Sequence, residues 1–272
     1  MKALSLPGVR AVVFDISGTV LDFGSRGPVR AFVELFTRNG VTITEAEARK
    51  PMGAHKRDHI QAILADPSVA VRWRETHGSW PDAGTLASLY NQFTPLQIEV
   101  LERHVDVLPG VADVADELHR RGIPIAATTG FDSSMIVNLK AAAAAQGYAP
   151  DVWVTPDLVG AGRPAPWMIF HAARKLGVYP LRHVVKVGDT AADIAEAHNA
   201  GTWAVSVVRT GNEIGLSQEE LDALPDDERE ARFRAAREKF TGMGAHYVID
   251  SVAALLPVID EISARIERGE RP

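Results

Sequence analysis

Short apolar runs rich in β-branched residues recur along the chain: RAVVFDI, IPIAATTG, DVWVTP, HVVKVGD, WAVSVV and HYVID. They are apolar on both faces, the pattern of strands buried from both sides. From IPIAATTG onward most are separated by helix-like stretches, at 132–146, 164–176 and 190–200, and another at 110–121 precedes that run. Strands alternating with helices predict an α/β protein with a doubly wound, Rossmann-like parallel sheet. Ligands of such sheets gather at the carboxyl ends of the strands. Asp15, Thr129 and Asp189 each stand at such an end.

The rhythm changes between Asp22 and about residue 104, where no convincing strand is found. Pro28 can open a helix, and Val29, Phe32, Val33 and Phe36 follow at helical spacing. Similar periodicity is present near 56–64 and over 82–102. An all-helical insert this soon after the first strand predicts a cap over the strand ends. The expected division is a catalytic core of residues 1–23 and 105–272 and a helical cap of residues 24–104. The charge-dense stretch 217–242 reads as a solvated helix opened by a Ser217/Glu220 capping box, with no catalytic role.

Composition narrows the chemistry. The 272 residues suffice for one large domain or a domain with an insert. A net charge of -6 offers no basic surface to nucleic acid or to an anionic membrane. The absence of cysteine excludes disulfides and thiolate metal sites. No apolar run approaches the roughly 18 residues of a spanning helix. MKALSLPGVR lacks the apolar stretch of a signal peptide, so the expected location is cytoplasmic.

Asp15 alone reads equally well as a cap on the turn SGT or as a functional acid. KVGDTAAD adds Asp189 and Asp193 after another buried strand. These two can be a helix N-cap and a first-turn acid. Three carboxylates at one sheet edge also repel one another unless a cation sits among them, and oxygen donors favour magnesium. Thr129 and Gly130 present a hydroxyl and an amide at a helix start, which suits phosphate. Arg163, in GAGRPAPWM, is either a surface arginine or a fixed cation for the site. The same stretch matches a dinucleotide fingerprint, but Pro164 and Pro166 leave no room for the strand, turn and helix that it requires.

FDISGTV, TTG, GRP and VGDTAAD, in this order, resemble the motifs of the haloacid dehalogenase superfamily. The resemblance implies that Asp15 attacks phosphorus and becomes an aspartyl-phosphate. It implies Mg²⁺ held by Asp15, the Ser17 carbonyl and Asp189, with Asp193 in support, and phosphoryl oxygens held by Thr129 and Arg163. Phosphatases of this kind carry an aspartate where this chain has Ser17. That aspartate protonates a departing alcohol, which a serine hydroxyl cannot do. The chain is therefore a poor phosphatase, or its leaving group is not oxygen.

The insert offers a second clue. In ARKPMGAHKRDHIQAIL, Lys56, His59, Ile60 and Ile63 share one helix face, with Arg57, Asp58 and Gln61 elsewhere. Such a lysine commonly snorkels out to solvent. If desolvated instead, its pKa falls from about 10.4 toward about 7–8 and the amine becomes a nucleophile for carbonyls. His55 and His59 have a zinc-motif spacing, but Lys56 occupies the place of its glutamate. An imine formed with an aldehyde is an electron sink, so a neighbouring C–P bond can break to an enamine with no acid at position 17. The combination, with EARKPMGAHKRDH and AAQGYAPDVWVTPDLVGAGRPAPWM, resembles the phosphonatase family. That likeness implies a Schiff base on Lys56, proton transfer assisted by His59, and a pocket shaped by Met52, Gly53 and Phe131. It implies acetaldehyde and phosphate as products of a small phosphonate, and a homodimer. The family pattern has tyrosine and cysteine where this chain has Phe131 and Ser25. The alternative reading is a capped, Mg²⁺-dependent phosphatase of small phosphate monoesters.

Overall fold

The computed structural model describes residues 8–272. The signal-peptide expectation rests mainly on residues outside that range. Six strands form one sheet: β1 (Ala11–Phe14), β2 (Ile125–Thr128), β3 (Val152–Val154), β4 (Val184–Gly188), β5 (Trp203–Val207) and β6 (Tyr247–Ile249). All pairs are parallel, in the order β3-β2-β1-β4-β5-β6. Each of the six predicted runs supplies a strand. In β1, Val12 and Phe14 enter one apolar layer while Ala11 and Val13 enter the other. Both faces are thus covered, which is why the strands read as continuous apolar runs.

The insert after β1 holds five helices: α1 (Arg26–Arg38), α2 (Glu45–Arg49), α3 (Lys56–Ala65), α4 (Pro67–His77) and α5 (Ala83–Leu101). Their shared core is aromatic. Phe32 stacks on Phe93 at 4.5 Å, and Phe36 meets Trp73 edge-on at 6.3 Å. The first helix starts before Pro28, because the Asp22 carboxylate accepts from the Arg26 and Gly27 amides at 3.1 and 3.0 Å. Two of these five escaped the sequence reading. The second is held by a Thr44/Glu47 capping box, and the fourth has Asp66 as its N-cap and Gly78 as its C-cap. Both signals are in the sequence, in segments with few apolar residues.

Around the sheet lie α6 (Val111–Arg120), α7 (Val137–Ala145), α8 (Pro156–Val159), α9 (Trp167–Leu176), α10 (Ala191–Ala200), α11 (Gln218–Asp222), α12 (Asp226–Gly242) and α13 (Leu255–Glu267). The stretch read as one solvated helix is two. The Ser217/Glu220 capping box forms, the first helix ends at Asp222, and the second buries Phe233 and Phe240. No helix of the described residues is long and apolar enough to cross a membrane.

Candidate active site

After β1 the chain moves outward through β2 and β3, then crosses back to place β4 on the other side of β1. The crevice between the carboxyl ends of β1 and β4 is therefore a topological switch point. Asp15 enters it with its amide bound to the Val187 carbonyl at 2.8 Å. Asp189 follows β4, with oxygens accepting from Thr19 Oγ1 at 3.0 Å and the Asn212 amide at 2.8 Å. The approach is tight enough to require glycine. A Cβ on Gly188 would lie 2.2 Å from Asp193 Cγ, and one on Gly18, at φ +83°, 2.2 Å from Asp189 Oδ2.

Oxygens of Asp15, Asp189 and Asp193 lie within 4.8 Å of one another, all on buried residues. Burial, then the negative charges of Asp15 and Asp193, push the Asp189 carboxyl well above the ordinary range. Asp193 differs. Burial works against its charge, but Arg163 and Lys186 outweigh it and hold its pKa below the usual value. Arg163 is buried, not a surface residue. Its Nη2 donates to Asp15 Oδ1 at 2.6 Å and its Nε to Glu196 Oε2 at 3.1 Å.

Lys186 and Glu196 escaped the sequence reading. Lys186 Nζ lies 2.9 Å from Asp193 Oδ1 and donates to Thr128 Oγ1 at 2.8 Å. Its signal was a lysine inside the apolar run HVVKVGD. Glu196 lies one turn after Asp193, on the same helix face. Four buried carboxylates (Asp15, Asp189, Asp193, Glu196) thus face two buried cations (Arg163, Lys186) around the sheet edge. These carboxylates outnumber the two cations among them, and the all-oxygen donor set fits a hard divalent cation.

The insert closes the crevice from above. The core supplies Asp15, Ser17, Thr129, Gly130, Phe131 and Arg163 to one cavity of about 20 Å³, and the insert supplies Met52, Gly53 and Lys56. Lys56 is not a snorkelling residue. Its side chain is buried, with Nζ 4.6 Å from the Phe131 ring centre and 5.6 Å from that of Phe32. Burial lowers its pKa from 10.5 to about 8, with Asp15 opposing and Arg163 assisting. The Lys56 amide donates to the Gly130 carbonyl at 3.2 Å, and Arg163 Nη1 to the Gly53 carbonyl at 3.2 Å. A Cβ on Gly130 would lie 2.3 Å from the Ala54 carbonyl oxygen.

His59 is not brought to the cavity. It is stacked 3.8 Å behind Phe32, with Nε2 2.7 Å from the Ala48 carbonyl. That contact assigns the proton to Nε2, and Nδ1 has no partner among the described residues. Burial, then the neighbouring Lys56, push its pKa well below 6.5, so the ring is neutral. Arg49, another residue the sequence reading missed, ties the insert to the core beside Asp189. It donates to the Gly24 carbonyl at 2.9 Å, to Asn212 Oδ1 at 3.2 Å and to the Gly215 carbonyl at 2.8 Å.

A family model described as haloacid dehalogenase-like hydrolase matches residues 9–201. A curated phosphonoacetaldehyde hydrolase of Paraburkholderia phytofirmans is 46% identical over 264 residues, 97% of this chain and 99% of the relative. The chain belongs to the phosphonoacetaldehyde hydrolase family of the haloacid dehalogenase-like hydrolases. Members so named from Nitratidesulfovibrio vulgaris and Bacillus cereus are 44% and 40% identical, over 97% and 93% of this chain and 94% and 96% of their own. A solved structure described as a phosphonoacetaldehyde hydrolase like protein, from Oleispira antarctica, superimposes with a TM-score of 0.96 at 38% identity, covering 100% of this chain and 99% of that one. The chain is thus an enzyme with a haloacid dehalogenase hydrolase domain. Against the family pattern noted above, Phe131 forms part of the lysine's seat, and Ser25, at φ 51°, borders the same cavity.

Proposed function

We propose that the enzyme hydrolyses the C–P bond of phosphonoacetaldehyde to acetaldehyde and phosphate. The observation that carries this reading is a buried lysine sharing one small cavity with Asp15, where Ser17 stands in place of an acid. The names of the relatives support the substrate. Lys56 condenses with the aldehyde, releasing water and giving a protonated imine. An Asp15 oxygen then forms a bond to phosphorus as the C–P bond breaks, and the released electron pair enters the imine to give an enamine. Protonation at carbon and hydrolysis of the resulting imine free acetaldehyde and Lys56. A second water cleaves the aspartyl-phosphate, so one water is consumed overall.

Arg163 and Thr129 orient the phosphonate oxygens, with Gly130 allowing the close approach of the insert. Mg²⁺, held by Asp15, the Ser17 carbonyl and Asp189 with Asp193 in support, would supply charge neutralisation for the phosphoryl group. Met52, Gly53 and Phe131 exclude water around the amine. His59, neutral and outside the cavity, supports the Phe32 ring against which Lys56 is seated and takes no direct part in proton transfer. Borohydride added with phosphonoacetaldehyde should fix a two-carbon adduct or the intact substrate to the peptide containing Lys56. Lys56→Arg should give none, because an always-charged guanidinium does not form this imine. Turnover of small phosphate monoesters without lysine labelling would instead favour the capped phosphatase.

A further inference from the structure

Beside the lysine's seat, and outside the cavity, three side chains from three segments converge on one point. Asp132 follows Phe131 in the loop after β2. Its Oδ1 lies 2.9 Å from His55 Nε2, and its Oδ2 accepts from the Tyr90 hydroxyl. His55 is the N-cap residue of α3, immediately before Lys56, and Tyr90 lies on α5. The two rings meet edge-on at 6.0 Å. His55 is also wedged against the core, since a Cβ on Gly162 would lie 2.9 Å from His55 Cβ. The core carboxylate therefore grips two elements of the insert at once.

We propose that Asp132 is a positioning residue: through His55 and Tyr90 it latches the first turn of α3 onto the end of β2 and keeps Lys56 in its desolvated seat. The proposal rests on the reading of Lys56 given above. The cavity holds about one water molecule. An aldehyde bearing a phosphonate enters only when the insert lifts, so the closed state is remade in every turnover and its stability enters the rate. His55 forms no side-chain cap to its own helix, and Asp58 Oδ2 lies 4.0 Å from its Nδ1. The ring is held from both sides, with the core carboxylate as the closer partner. Across the same seam the Lys56 amide donates to the Gly130 carbonyl, so opening of the latch exposes that amide.

Amide exchange of the segment 52–60, followed by mass spectrometry, reads the latch without reference to the reaction. A hydrogen bond to a charged acceptor corresponds to about 10- to 100-fold in an opening equilibrium. Asp132→Ala should speed exchange in that segment by this factor and leave the Phe32 and Phe93 segments unchanged. Tyr90→Phe should give a smaller increase, and adding it to Asp132→Ala should add nothing, because the two act through one contact. In Asp132→Ala, borohydride labelling of Lys56 should slow while still reaching completion, and KM should rise more than kcat falls. Unchanged exchange at 52–60, or equal acceleration across the whole insert, would overturn the latch. An unchanged labelling rate would overturn its positioning role. Failure of labelling in the unmodified enzyme would remove the Lys56 reading instead, and leaves the exchange result to judge the latch by itself.

Discussion

Lys56 carries an energetic cost that a neutral residue of the same length avoids. Its amine is depressed from 10.5 to about 8, chiefly by burial. At about 1.4 kcal/mol for each tenfold in a protonation equilibrium, holding it charged in the folded state costs about 3 kcal/mol at neutral pH. Methionine matches its length, is apolar, and suits contact with the Phe32 and Phe131 rings. Lys56→Met should therefore be inactive toward phosphonoacetaldehyde and more stable than the parent, by up to about 3 kcal/mol at pH 7. The pH dependence has a definite sign. Below pH 8 the lysine is charged in both states and the full cost is present. Between about 8 and 10.5 the folded state has released its proton while the unfolded state retains it. Stability of the parent thus rises with pH across that window, and the advantage of methionine shrinks toward zero. Urea unfolding of both proteins at pH 7 and at several points up to pH 10.5 measures the gap. A methionine variant less stable than the parent at pH 7, or a gap that stays constant above pH 8, would refute the desolvation argument and with it the nucleophilic amine.

Lys186→Met should behave in the opposite way: it strips Asp193 and Glu196 of a buried cation and should destabilise by about 3–5 kcal/mol, read by the same urea titration. Adding a divalent cation to the chelator-treated enzyme should raise its thermal midpoint, because charge among Asp15, Asp189 and Asp193 is then compensated; an unmoved midpoint up to millimolar Mg²⁺ would contradict the charge count. Ser17→Asp should bring no gain in phosphonate turnover, since the departing group is carbon, and a large gain in the steady-state rate would defeat that argument. Gly188→Ala should fail to form the site, because its Cβ would lie 2.2 Å from Asp193 Cγ, and retained activity would mean that β4 and α10 separate more easily than their packing suggests.

The six strands were legible because each is apolar on both faces and bounded by turn residues, a local signal that the parallel sheet then satisfied. Asp15, Thr129 and Asp189 could be placed at strand ends for the same reason. The amphipathic face of Lys56, His59, Ile60 and Ile63 could be read from spacing alone. What the spacing left open was whether Lys56 turns to solvent or inward, and that depends on Phe32 and Phe131, residues far apart in the chain. The same holds for Arg163, whose partners Asp15 and Glu196 are remote in sequence, and for Lys186, which reads as an oddity in a strand until α10 packs over it. Local pattern determines which segments become strands and helices and which faces are apolar. Charge compensation in a buried site is a sum over groups brought together from the whole chain, and only the packed tertiary structure decides its terms.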